Sequence, residues 1–414
     1  MFEVIRSKHY WLVLMLIAVI IGIFSFALIG VRNTTKVRQI PVALINQDKG
    51  AFSRKVVRQL RHRFRGHDAK IKWVKAKKQG LNNQKYYAAV TIRPGFSQAI
   101  AKQNQRVKAQ IVAEKLTQLQ RTNQLPVAAN QQLIQAQASA QGSVPQAKIK
   151  IAINQGMNAQ VAQLLTQALP KLSAQLTQQL TQKRQKLLTQ NQVQLSASAW
   201  RQLSQPISTS VHTDNKIRKN TISGMAPMLL VALAWFSALI ASVLLWREHY
   251  RRNGSKALTG KAVTSQLLTG IVASVFLASI GYLFVAGCFK LNVPDPFNFI
   301  GLMSVSIFVF YLITTCILDW FGLYGWPIVL LVWFFAIGVL SYAPEMLSTF
   351  ARNGIYNWVP MRFSMQAITN TLYFHGGSAT TASALSVLTI FGTVAAVLMY
   401  GSGYCKRFVL ARIK

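Results

Sequence analysis

The chain reads as a polytopic α-helical membrane protein with six transmembrane helices, one plus five, and an extracellular α/β plus helical-stalk domain inserted between spans one and two. Three observations lead there. Six runs are apolar and reach the roughly 20 residues that a bilayer crossing takes: Trp11–Gly30, Met225–Trp246, Leu267–Phe289, Phe297–Leu318, Tyr324–Tyr342 and Ala382–Cys405. A content of 51% hydrophobic residues beside a formal charge of +37 in 414 residues does not suit one soluble domain, so the two properties must occupy different segments. The charge is segregated accordingly: between Val31 and Ile222 lie 32 Lys and Arg against Asp48, Asp68, Glu114 and Asp214, a net of +28.

Residues 1–31 comprise an N-terminal segment and the first span. Met1–Tyr10 mixes Phe2, Val4 and Ile5 with charges, which suits either an interfacial segment or an ordinary positive flank. Arg6 and Lys8 precede the span as in a signal peptide, but its apolar core of 20 residues exceeds the usual 7–15, and Ser25–Gly30 is a poor cleavage site. A retained anchor is expected.

Residues 32–222 form the basic insert, with an α/β module at 36–100 and a Gln/Leu-rich stalk at 101–200. Strands are expected at Ile40–Ile45, Ile71–Val74 and Tyr86–Ile92, with a helix over Ala51–Arg65. In the stalk, Leu165, Leu169, Leu172, Leu176, Leu180 and Leu187 recur at helical steps and predict one leucine seam on a long hairpin or coiled coil, broken or kinked at Pro126, Pro145 and Pro170. Arg201–Asn220 returns the chain to the membrane. Residues 223–414 are the five-helix part, in which Ala343–Thr381 suits a helix dipping into the outer face.

Orientation follows from the short flanks. Arg6, Lys8, the loop with Arg247, Arg251, Arg252, Lys256 and Lys261, and the tail with Lys406, Arg407, Arg412 and Lys414 fall on one side, against Lys290, Arg352 and Arg362 on the other. Both termini are therefore expected in the cytoplasm and residues 32–222 outside. The insert exceeds the roughly 60 residues to which the rule applies, so its charge does not count against this placement.

Catalytic constellations are scarce. The glycine-rich stretch from Gly254 to Ala262 has five residues between its glycines and Ala262 after Lys261, whereas a phosphate loop needs four and a Ser or Thr. Asp48-Lys49-Gly50 places an acid where an anion would sit; it suits a turn in which Gly50 takes a left-handed conformation and Asn46 or Asp48 caps the next helix. No two of the six histidines pair with a carboxylate at metal-ligand spacing, and Cys288, Cys316 and Cys405 lie in or beside spans, so no metal, cofactor or disulfide framework is expected. Asp319, Asp295 and Glu345 fall at span ends or in short loops and are expected at the interface. A +28 surface outside the cell suits cell-wall polyanions or anionic lipid head groups, or else a plain solvated face; nucleic acid would lie on the wrong side of the membrane, despite the cluster Arg61, Arg63, Arg65, Lys75, Lys77 and Lys78.

Four stretches carry a family likeness. "IPVALINQDKGAF" at 40–52, with Asn46, Asp48 and Gly50, resembles the opening of the extracellular part of YhgE/Pip (phage-infection-protein) membrane proteins. "AAVTIRPGFSQAI" at 88–100 is similar to their next strand and turn, and "SGMAPMLLVALAWFSALI" at 223–240, with Gly224 and Pro227, to the entry into their second span. "VPMRF" at 359–363, with Pro360, resembles the proline motif before the last span of type-2 ABC exporter permeases. Gln47 replaces the family's acidic residue, and Arg362 intrudes on the proline motif. The resemblance implies a non-enzymatic permease half that forms a homodimer or heterodimer in the cytoplasmic membrane of a Gram-positive bacterium and is driven by a separate ATPase. It also implies an ATPase-coupling role for the loop Arg247–Lys261, including Arg247, Glu248, Arg251, Arg252 and Lys256. The cargo it suits is lipid-linked or amphiphilic. A second reading, favoured by the stalk, is a surface scaffold or receptor, such as a secretion-system accessory or a phage attachment point.

Overall fold

A computed structural model describes residues 15, 18, 21–23, 25–66, 68–77, 79–141, 143–217, 224–252, 259–374 and 379–412. The chain divides into two compact units: Arg38–Gln155 with Gln160–Asp214, and the remainder. The interfacial segment expected at 1–10, nine of the twenty residues of the first expected span, and Lys256 lie outside the described residues.

The first unit is built on a five-stranded sheet of order β2-β1-β3-β4-β5. β1 (Ile40–Asn46) buries Ile40, Val42, Ala43 and Leu44 in succession, as a strand covered on both faces does. It leads into α1 (Ala51–Arg63), whose Val56 and Leu60 face inward on an otherwise basic helix. β2 (Ile71–Val74) then pairs parallel with β1, Ile40 opposite Ile71, and stands at the sheet edge. β3 (Ala88–Ile92) lies parallel on the other side of β1, Val42 opposite Ala88. After α2 (Phe96–Arg121) and α3 (Ala129–Gln141), β4 (Ala147–Asn154) runs antiparallel to β3, Val90 opposite Ile151. α4 (Ala159–Gln190) and α5 (Ala197–Ser204) lead to β5 (Ile207–Asp214), parallel to β4.

This differs from the expected stalk. The stretch 101–200 contributes β4 to the sheet, and the stretch expected only to return to the membrane contributes β5. The alternation in "AKIKIAI" explains β4: Ala147, Ile149, Ile151 and Ile153 point into the core while Lys148 and Lys150 point out. On α4, Leu165 and Leu169 are buried as expected, but Leu187 is exposed, and the buried stripe continues through Ser173, Arg184 and Leu188. Steps of 3.6 residues carry the inner face away from the leucine spacing over so long a helix. Pro126 and Pro145 fall in non-helical links, whereas α4 passes through Pro170 unbroken.

The second unit is helical: α6 (Ala226–Arg252), α7 (Gly260–Tyr282), α8 (Pro296–Phe321), α9 (Trp326–Leu340), α10 (Pro360–Tyr373) and α11 (Ala379–Arg412). Among the described residues, four helical segments are long and apolar enough to cross a bilayer: Ala226–Arg252, Gly260–Cys288, Pro296–Leu340 and Thr380–Cys405. α8 is the central helix, packed against α6, α7, α10 and α11. Trp235 of α6 is fully buried against it, 5.4 Å from the Phe310 ring and stacked on Trp333 of α9 at 6.5 Å. The other face of α6 exposes Leu229, Leu233, Phe236, Ile240 and Leu244, and α7 likewise exposes Leu268, Val272 and Phe276. Helices apolar on the buried and the open face alike belong in lipid.

Candidate functional site

The two motifs of the first unit meet in one hydrogen-bonded knot. Asn46 ends β1, and its Oδ1 accepts from the Asp48 backbone N–H at 3.1 Å. The Asp48 carboxylate accepts from the Gly50 N–H at 3.1 Å, from the Ser97 N–H at 3.3 Å and from the Ser97 hydroxyl at 2.6 Å. The Ser97 oxygen in turn accepts from the Ser53 N–H at 2.9 Å, so a residue 44 positions away caps the first turn of α1. Asp48 thus lies at the N-termini of α1 and α2 together, where helix dipoles favour a negative charge. Burial works against its ionised form, but the hydrogen bonds from Ser97, Ser53 and Gly50 outweigh that and hold its pKa below the usual carboxylate value.

Gly50 has φ −73°, so the left-handed turn expected there does not form. Its need for glycine is spatial: a Cβ would sit 2.2 Å from the Ser97 Cβ. Gly224, by contrast, does adopt φ +86° just before α6, in which Pro227 is the second residue. Pro360 is the first residue of α10. Next to it, the Arg362 guanidinium lies 4.6 Å from the Tyr356 ring centre and 5.0 Å from that of Phe363, and donates to Asn357 Oδ1 at 3.0 Å. The arginine that intrudes on the proline motif is held by aromatic faces.

Of the remaining sequence-predicted residues, Arg247, Glu248, Arg251 and Arg252 lie at the C-terminal end of α6, which runs on as helix through Arg252. Arg247, Arg251 and Arg252 are exposed there. Glu248 bridges the last two, with Arg251 Nη2 at 2.9 Å and Arg252 Nε at 2.7 Å. Three arginines and one glutamate leave the end of the helix cationic, suited to an acidic partner surface. At the start of α7, Thr259 caps the helix by accepting from the Ala262 N–H at 3.1 Å.

Beneath this end lies a polar core that sequence reasoning missed. Asp319, near the end of α8, is only 2% exposed, not interfacial as expected, and its Oδ1 accepts from Gln266 Nε2 of α7 at 3.4 Å. α8 continues to Phe321, beyond the apolar run, and its face with Tyr311, Thr315 and Asp319, one turn apart, carries the carboxylate inward. The Tyr311 hydroxyl donates to the Gln266 carbonyl at 3.1 Å, and a Cβ on Gly270 would sit 2.3 Å from the Tyr311 ring. His249 of α6 meets the Thr269 hydroxyl of α7 at 3.1 Å. His249 thus ties α6 to α7, and the two Gln266 bonds tie α7 to α8. The available signal was Gln266 and Asp319 as the polar residues bordering long apolar runs.

Apolar outer faces and several long helices packed around one central helix define a membrane-embedded helical protein. The family model described as ABC-2 family transporter protein matches residues 9–400, and the chain belongs to that family. It is thus the membrane permease component of an ABC-type transporter, a class that works with a separate ATPase subunit. No curated protein and no solved structure gives a significant match.

Proposed function

We propose that the chain is the permease half of an exporter of the YhgE/Pip type, with six spans, both termini cytoplasmic and residues 32–222 outside. The 45-residue segment Pro296–Leu340 supports the count. It would be about 67 Å long if straight, over twice the roughly 30 Å of hydrocarbon, and it turns at Gly322, where φ is +59°. α10, with a buried face that includes Met361, Ser364, Ala367 and Ile368, is the helix that dips into the outer leaflet. Two such halves, identical or not, would move a lipid-linked or amphiphilic cargo between them.

The observation that carries this reading is the polar relay from the cationic end of α6, through His249 on Thr269 of α7, and from α7 through Gln266 to Asp319 of α8. A nucleotide-driven displacement of that helix end would pass to α8 through packed side chains. The test is co-purification from the native host: the wild-type chain should bring down a soluble ATPase, and Arg251→Glu with Arg252→Glu should lose it. Wild-type chain that retains no ATPase sinks the exporter reading. The second reading, a surface scaffold or receptor, predicts a surface partner and no ATPase. In either case the net basic charge of the first unit suits polyanions of the cell surface.

A further inference from the structure

One side of the first unit carries a cavity of about 1360 Å³ between α1 and the edge strand β2. Seven lysines and arginines line it and no carboxylate does. Arg58 and Arg61 stand one turn apart on α1, Arg65 follows the helix end, and Lys72 of β2 is also among the lining residues; all four are exposed. The floor is aromatic and rigid: Trp73 donates through Nε1 to the Leu60 carbonyl at 3.0 Å, and its ring meets Phe64 edge-on at 5.9 Å. Among the described residues, the ion pairs lie at Glu248 and Asp214, and none involves a lining side chain.

So many like charges around one hollow repel one another and weaken the folded state. Nothing in the packing of α1 on the sheet requires them, since the contacts inward are made by Val56 and Leu60. An anion in the cavity would offset that repulsion. The volume exceeds the 300–1,000 Å³ typical of a small-molecule site, and cations spaced about 4.5 Å apart along a helix axis can meet several negative groups in succession. Guanidinium groups pair bidentately with phosphate oxygens.

We propose that this cleft is a binding site for anionic phosphate groups presented several at a time, as a polymer or as clustered lipid head groups. The proposal deepens the reading of the first unit as polyanion-facing and is independent of ATPase coupling. It is tested with full-length protein in zwitterionic nanodiscs, titrated with linear polyphosphate, phosphatidylglycerol vesicles and poly-glutamate. The cleft variant is Arg58→Gln, Arg61→Gln, Arg65→Gln and Lys72→Gln. The control removes four exposed charges elsewhere: Lys102→Gln, Lys108→Gln, Lys115→Gln and Arg121→Gln on α2.

The cleft variant should bind polyphosphate or the vesicles at least about tenfold more weakly, and the control within about twofold of wild type. Vesicle binding alone assigns the phosphates to head groups, and polyphosphate binding alone assigns them to a free polymer; both support the site. Equal weakening in the two variants overturns it, because only diffuse charge would then be acting. Poly-glutamate binding as tightly as polyphosphate with the same loss overturns it in favour of an acidic protein partner, and absence of all binding at physiological salt overturns it outright. A cleft variant that still retains the ATPase separates failure of this site from failure of the exporter reading.

Discussion

At the scale of single residues, Gly50 and Asp48 show how a motif can be structural and still be exacting. Gly50→Ala places a methyl group where the Ser97 side chain lies. It should destabilise the first unit by about 1–3 kcal/mol, the usual cost of overpacking, read as the thermal midpoint of the purified protein. Asp48→Asn loses a charged acceptor shared by two helix starts and should cost about 1–3 kcal/mol at neutral pH. Because the folded-state pKa of Asp48 lies below its unfolded value near 3.8, its contribution is full above that pH and is lost as pH falls through the folded value. The stability gap between wild type and Asp48→Asn should therefore close on acidification. A gap that stays constant would show that the carboxylate charge contributes nothing. The role of Gly50 was not legible in the sequence, because the clashing partner comes from a motif 47 positions away.

At the scale of elements, α2, α4 and α5 are held by a buried cation with neutral partners. Arg184 is 3% exposed and donates to the Leu203 carbonyl at 2.9 Å, to Gln103 Oε1 at 2.7 Å and to Asn104 Oδ1 at 3.2 Å. Burial lowers its pKa to about 10, so it remains charged at neutral pH. Beside it, Val107, Leu188, Val193 and Leu203 form a small apolar cluster. Arg184→Ala leaves a cavity and unpaired acceptors, for about 2–4 kcal/mol, and should raise hydrogen exchange in α5. Arg184→Met, which keeps the volume, should cost less. The sequence shows a lysine- and glutamine-rich helix here, and nothing local marks Arg184 as inward-facing. That follows only from which turn of α4 meets α2 and α5.

At the scale of the whole molecule, topology is the open quantity that labelling can decide. In a background of Cys288→Ser, Cys316→Ala and Cys405→Ser, a cysteine in place of Lys115 should react with an impermeant maleimide in intact cells. One in place of Arg251 should react only after permeabilisation. Labelling of both from outside, or of neither, rejects the proposed orientation. Both positions are exposed, so accessibility reports the side of the membrane and not burial.

The sequence by itself determined the membrane class, the apolar helices of the second unit to within a few residues at most ends, and the three strands of the first module. Each of those signals is local: an apolar run, a two-residue alternation, a turn. Only the tertiary structure decided that β4 and β5 complete the sheet, that Asp319 turns inward on Gln266, and that basic residues of α1 and β2 share one cavity. Those outcomes depend on which distant faces pack together, and burial then overrides the local preference of a glutamine-rich or charged stretch.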